Sequence, residues 1–86
     1  MKTYVICGAL QGIGLETMIY FANKGCNIIA CAHKSSPEFD SICNKLEIDN
    51  KITITKLFSD FNDVESIKNI VNEIRKLKII INGVVS

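Results

Sequence analysis

The 86-residue sequence predicts an α/β fold built on a parallel sheet with helices on both faces, and three observations predict it. Apolar runs of strand length alternate with segments whose apolar residues recur every three or four positions, in the order β-α-β-α-β-α-β. Such alternation joins parallel strands through crossover helices. Two of the runs, "YVIC" and "CNIIACAH", are uninterrupted, as in strands covered on both faces rather than facing water. Third, the stretch "CGALQGIGLE" sets three glycines between the first apolar run and the first helical segment.

The elements follow in order. Residues 4–7 form a short buried strand that ends at Gly8. Across residues 13–24 the apolar Leu15, Met18, Ile19 and Ala22 recur at helical spacing, and Gly25 stands where a helix C-terminal glycine belongs. The run "CNIIACAH" gives the second strand. Ser35, Ser36 and Pro37 supply a cap and a proline for the first helical position. Phe39, Ile42, Cys43 and Leu46 follow at helical spacing, so a helix of about 12 residues is expected, closed by Asp49 and Asn50. "KITITKLF" alternates with a period near two and is rich in β-branched residues, which makes it the third strand. "SDFND" is a turn, and Asp63 suits an N-cap. Ile67, Ile70, Val71, Ile74 and Leu77 then stripe a third helix, and "KIIINGVVS" reads as a fourth strand.

Right-handed crossovers restrict how these strands are ordered. Adding the second and third strands on one side of the first, and the fourth on the other, gives the order 3-2-1-4. That is a Rossmann-type three-layer arrangement, the truncated half of a doubly wound fold, with residues 1–86 forming a single partial domain. Its switch point lies between the first and fourth strands, and ligands bind in that crevice at the carboxyl ends of the strands, where residues 8–14 fall.

Composition narrows the function classes. A domain this small removes only roughly 60 to 65% of its extended surface from water, so its stability margin is thin. With 48% hydrophobic and 22% charged residues it is not a disordered chain. No apolar stretch nears the roughly 20 residues that span a bilayer, and "MKTYVICGAL" lacks a cleavage site, which leads to the expectation of a mature cytosolic start. Ten basic and nine acidic residues, spread along the chain, leave no broad charge footprint for nucleic acid or a membrane surface. Cys7, Cys26, Cys31 and Cys43 form no C-x-x-C pair. They read as buried reduced thiols of a cytoplasmic protein, because a zinc site needs closer spacing and more than the single His33.

The loop itself carries the chemistry. A helix N-terminus exposes unpaired N–H groups and about half a positive charge, which together hold a phosphate. Gly8 permits the strand-to-helix turn, Gly12 lets the backbone approach a pyrophosphate, and Gly14 lets the helix pack on the sheet. The alternative is a plain tight turn. The spacing is G-x-x-x-G-x-G, and here the sequence resembles the short-chain dehydrogenase/reductase family. "CGALQGIG" matches that family's T-G-x-x-x-G-I-G at every glycine and at the isoleucine, with Cys7 in place of threonine. "SDFNDVESI" resembles the stretch at the end of the family's third strand, and "IINGVVS" partly resembles its N-N-A-G, with Gly83, Val84 and Val85 departing from it. The resemblance covers essentially the whole chain. It implies dinucleotide contacts from Gly8, Leu10, Gln11, Gly12, Ile13 and Gly14, from Asp60 and Phe61 at the adenine, and from Asn82 at the ribose. Otherwise Asp60 only caps a turn and Asn82 only ends a strand.

A carboxylate about 20 residues beyond the glycines would bind the ribose diol of NAD. The second strand ends "ACAHKSS", with Ala32 where NAD-preferring members of the family place aspartate and His33 and Lys34 where NADP-preferring members place basic residues. A lysine charge, serine hydroxyls and a protonated histidine suit a phosphate dianion, so NADP(H) is expected in preference to NAD(H). The alternative for His33 and Lys34 is a solvated strand end. The resemblance further implies hydride transfer between the nicotinamide and a carbonyl or alcohol, assisted by a serine and a Y-x-x-x-K pair. Tyr20 and Lys24 satisfy that spacing formally but fall in the first helix, away from the nicotinamide, so no catalytic residue is assigned. Two readings stand: the N-terminal cofactor-binding fragment of an oxidoreductase, or a non-catalytic nucleotide-binding module complete at 86 residues. The fourth strand, residues 78–85, would be an apolar edge guarded only by Lys78, which predicts self-association and favours the fragment.

Overall fold

The computed structural model describes residues 2–9, 12–58, 64–76 and 81–85, with the backbone alone at 64, 66, 67 and 85. Along the chain run β1 (Thr3–Cys7), α1 (Gly12–Asn23), β2 (Asn27–Ala32), α2 (Pro37–Asn50), β3 (Ile54–Phe58), α3 (Val64–Lys76) and β4 (Gly83–Val85). The strands form one parallel sheet in the order β3-β2-β1-β4. This is the order that alternating elements and right-handed crossovers predict. Because the chain steps back past β1 after β3, α1 and α2 cover one face of the sheet and α3 the other.

Side chains alternate between the faces along each strand, and both faces are apolar. Ile6, Ile28, Ala30 and Ile54 lie beneath Met18 and Ala22 of α1 and Phe39, Cys43 and Leu46 of α2. Val5, Ile29 and Cys31 form the second face, against Ile70 and Ile74 of α3. Full burial of each large apolar side chain contributes about 1.5–3 kcal/mol, so the two-faced strands β1 and β2 anchor the fold. Val71 is half exposed, while the side chain of Ile67 and the whole of Leu77 lie outside the described residues.

Helix ends follow local chemistry. At the end of α1 the Gly25 N–H donates to the Ala22 carbonyl (3.0 Å) and the Cys26 N–H to that of Phe21 (3.1 Å), a Schellman closure. Ser36 caps α2, its Oγ accepting from the Phe39 N–H at 3.1 Å, with Pro37 following as the first helical residue. The helix closes at Asp49 and Asn50 as expected, and Lys51 follows in a left-handed conformation (φ 54°), its N–H bonded to the Glu47 carbonyl. The Asn50 amide donates to Asn23 Oδ1 (3.2 Å) and so ties the ends of α1 and α2 together.

The third strand correspondingly starts at Ile54 rather than Lys51, since residues 51–53 form the cap and connection. The Ile54 N–H donates to Glu47 Oε2 (3.1 Å), and Lys56 pairs with Asp40 at 3.0 Å, so α2 is clipped to the β3 edge at two points. The Asp40 carboxylate, by accepting that hydrogen bond, holds the Lys56 ammonium above its ordinary value. Asp63 and residues 78–80 lie outside the described residues. The fourth strand extends from Gly83 to Val85 among those described. No helix among the described residues is long and apolar enough to cross a membrane.

Candidate functional site

Parallel register brings the carboxyl ends of the strands to one edge of the sheet. Cys7 is level with Cys31, and Ala32 with Phe58, so Gly8, His33 and Lys34 leave the sheet side by side. Gly8 has φ +68°, a left-handed conformation that a side chain disfavours by about 1–2 kcal/mol. The next residue fastens the loop to β2: Ala9 is fully buried and its N–H donates to the Cys31 carbonyl at 3.2 Å.

Helix α1 begins at Gly12 directly over this edge. Its first N–H groups have no partner within the helix, and no acidic residue in its first turn offsets the positive end of its dipole. The close approach of helix and loop depends on Gly14. A Cβ there would collide with the Gly8 carbonyl oxygen, and would lie 2.6 Å from the Gly8 carbonyl carbon and 3.1 Å from the Cys7 carbonyl oxygen. Strand end, turn and helix start are thus in backbone contact. Ile13 stands 83% exposed in the first turn beside them. Leu10 and Gln11 lie outside the described residues.

Of the other residues expected at the site, the structure brings His33 and Lys34 to this edge, exposed just beyond β2. Asp60 and Phe61 lie outside the described residues. Phe58, which sequence reasoning passed over, ends β3 on the same edge with an exposed ring. Its one sequence signal was its place as the last residue of an alternating strand.

Asn82 is placed elsewhere. It precedes β4 and faces Thr3, at the amino end of the sheet, about four strand residues or 13 Å from the glycine loop. There its Oδ1 accepts from the Thr3 N–H (2.9 Å) and its own N–H donates to the Thr3 carbonyl (2.8 Å), stitching β4 to β1. The register that fixes this position pairs Gly83 with Tyr4, where a Cβ on Gly83 would lie 2.8 Å from the Tyr4 ring. Tyr20 and Lys24 are likewise remote from the loop. They line a hollow with Lys2, Tyr4 and Gly25, and the Lys24 ammonium sits 5.4 Å from the Tyr20 ring centre.

An apolar cleft of about 450 Å³ opens on the α3 face between Val5, Cys7, Ile70, Ile74, Ile81 and Val84. Among the described residues its lining offers no cation or amide side chain to a phosphate. All four cysteines are free thiols. Burial, reinforced by Cys7 beside it, pushes the Cys31 thiol up to about 12, and burial pushes Cys43 up to about 11.

Comparison with known proteins agrees with this architecture. A family model described as short chain dehydrogenase matches residues 2–85. A dehydrogenase/reductase SDR family member 7C-A of Danio rerio is 30% identical over 76 residues, covering 85% of this chain and 24% of its own length. Among solved structures, the bulky-bulky ketone specific alcohol dehydrogenase of Comamonas testosteroni superposes with a TM-score of 0.77 at 25% identity, over 88% of this chain and 30% of that one. An alcohol dehydrogenase of Thermococcus sibiricus complexed with 5-hydroxy-NADP gives 0.86 at 23% identity, over 98% and 35%. The L-sorbose reductase of Gluconobacter frateurii complexed with NADPH and L-sorbose gives 0.74 at 24%, over 87% and 28%. The chain therefore spans about a quarter of the curated relative and about a third of each of these structures. With the glycine loop, the 3-2-1-4 sheet and a family match over residues 2–85 all in agreement, this chain belongs to the short-chain dehydrogenase family.

Proposed function

We propose that residues 1–86 are the cofactor-binding portion of an NAD(P)(H)-dependent oxidoreductase, one that transfers hydride between a nicotinamide and a carbonyl or alcohol. The observation that carries this reading is the contact of Gly14 with the Gly8 carbonyl, which sets the donor end of α1 against the carboxyl end of β1. Gly8, Leu10, Gln11, Gly12, Ile13 and Gly14 would take the pyrophosphate, and Asp60 and Phe61 the adenine. Asn82 leaves this set, because its side chain is spent on Thr3 at the other end of the sheet. The same remoteness removes Tyr20 and Lys24 from catalysis. The free thiols suit a cytoplasmic protein.

The cofactor is NADP(H) rather than NAD(H). His33 and Lys34 stand at the end of β2 where a 2′-phosphate would lie, and Ala32 supplies no carboxylate to repel it. Titration of the intact protein should show tighter binding of NADPH than of NADH. Lys34→Ala should narrow the difference about tenfold, the equivalent of one charge-assisted hydrogen bond. Tighter binding of NADH by the parent protein would overturn the assignment.

The fourth strand also supports self-association. β4 forms an edge of the sheet, and Val84 on it is 65% exposed. An open apolar edge pairs readily with a second copy. Sedimentation velocity of the 86-residue chain should give dimers or larger species, and a monomer at all concentrations would contradict the proposal.

A further inference from the structure

Two of the four thiols meet across the sheet. Cys7 ends β1 level with Cys31 of β2, and in parallel register both side chains project to the α3 face. Their Cα atoms are therefore about 4.8 Å apart, as for any neighbouring parallel strands. That separation lies inside the roughly 4.4–6.8 Å that a disulfide spans. Cys7 packs against the cluster that holds Cys31, and its nearness adds to burial in raising the Cys31 thiol. Cys31 is buried, Cys7 is partly exposed and so open to a reagent in solution, and both line the apolar cleft. Cys43 lies on the opposite face beneath α2, and Cys26 precedes β2, so neither competes for these partners.

We propose that Cys7 and Cys31 form a reversible cross-strand disulfide, made by exchange with a small-molecule disulfide such as oxidised glutathione. In the first step Cys7 gives its thiol proton to solvent, and its sulfur attacks one sulfur of the reagent. The reagent's S–S bond breaks, one thiolate leaves and takes up a proton, and Cys7 carries a mixed disulfide. In the second step Cys31 loses its proton, and its sulfur attacks the Cys7 sulfur and expels the second thiolate, which is protonated in turn. Two protein thiols are oxidised to one disulfide, and one disulfide is reduced to two thiols. Because the bond forms by thiol–disulfide exchange, an added dithiol reverses it by the same route.

The bond would sit one residue before Gly8 and on the strand whose Cys31 carbonyl holds Ala9, at the root of the glycine loop. Lower NADPH affinity in the oxidised form is therefore expected, and this consequence alone rests on the cofactor reading above.

The test treats the intact protein with oxidised glutathione, quenches with acid, alkylates the remaining thiols and maps the peptides. The expected product has lost two hydrogens, joins Cys7 to Cys31 and reverts with a dithiol. Cys31→Ser should stop at a mixed disulfide on Cys7, and Cys7→Ser should give no linked product. The high position of the Cys31 thiol makes closure the slow step, so its rate should rise about tenfold per pH unit up to the alkaline limit of folding. A parent protein that accumulates the mixed disulfide without closing, links Cys26 or Cys43 instead, or stays unmodified would overturn the proposal. Protein that closes the bond but binds NADPH in neither state would leave the disulfide standing and remove the cofactor reading.

Discussion

Replacing Phe39 with alanine should cost about 3–5 kcal/mol, the range for truncating a buried phenylalanine. A folded chain of 86 residues at about 0.05–0.15 kcal/mol per residue has only roughly 4–13 kcal/mol in total. The substitution would therefore remove between about a quarter and all of the stability of the isolated chain. The size of the effect follows from position. Phe39 is 1% exposed in the first turn of α2 and packs in the core formed by Ile6, Ile28, Ala30 and Ile54 of three strands. The cap from Ser36 ties down its backbone, which resists movement of the helix into the cavity. Ile48→Ala on the same helix is the control. Ile48 is 77% exposed, and its truncation should change stability by less than about 0.5 kcal/mol. Urea unfolding followed by circular dichroism measures both, and similar losses for the two variants would contradict the packing described.

The second large effect concerns the loop. Gly14→Val should lower stability by about 1–3 kcal/mol and weaken NADPH binding more than tenfold, because the new side chain must push α1 off the Gly8 carbonyl. Both colliding groups are backbone, so no rotamer change relieves the contact. Gly8 fails differently. A Cβ at Gly8 meets nothing within 4 Å, but φ +68° is costly for any side chain except those that tolerate the left-handed region. Gly8→Asn should accordingly be milder than Gly8→Val, whereas at Gly14 alanine and asparagine should both be harmful. Thermal melts and NADPH titration of these variants check this pattern. Equal tolerance at the two positions would mean that helix and loop do not touch as described.

Both contrasts rest on features that the amino-acid sequence reveals unevenly. The succession of strands and helices was legible because periods of two and near four are set by local geometry, and the 3-2-1-4 order followed from crossover handedness. Ser36 and Gly25 announced helix ends by residue type. Lys51 did not, since nothing about a lysine signals a left-handed cap. Register was the other hidden quantity. It is fixed by how tightly crossovers pull strands together, not by any period within one strand. Without it the sequence could not reveal that Asn82 faces Thr3 instead of the glycine loop, or that Cys7 and Cys31 stand level on neighbouring strands. The glycines of the loop were readable because each is required by the backbone alone.

Receipt of a dinucleotide's pyrophosphate by the loop between β1 and α1 is tested most directly by amide chemical shifts of the intact, isotope-labelled protein titrated with NADPH. The largest shifts are expected at Gly8, Ala9, Gly12, Ile13 and Gly14, with smaller ones at His33 and Lys34 and none at Asn82. Shifts confined to the α3 cleft around Ile70 and Ile74, or no shifts at saturating NADPH, would contradict a phosphate site in this loop.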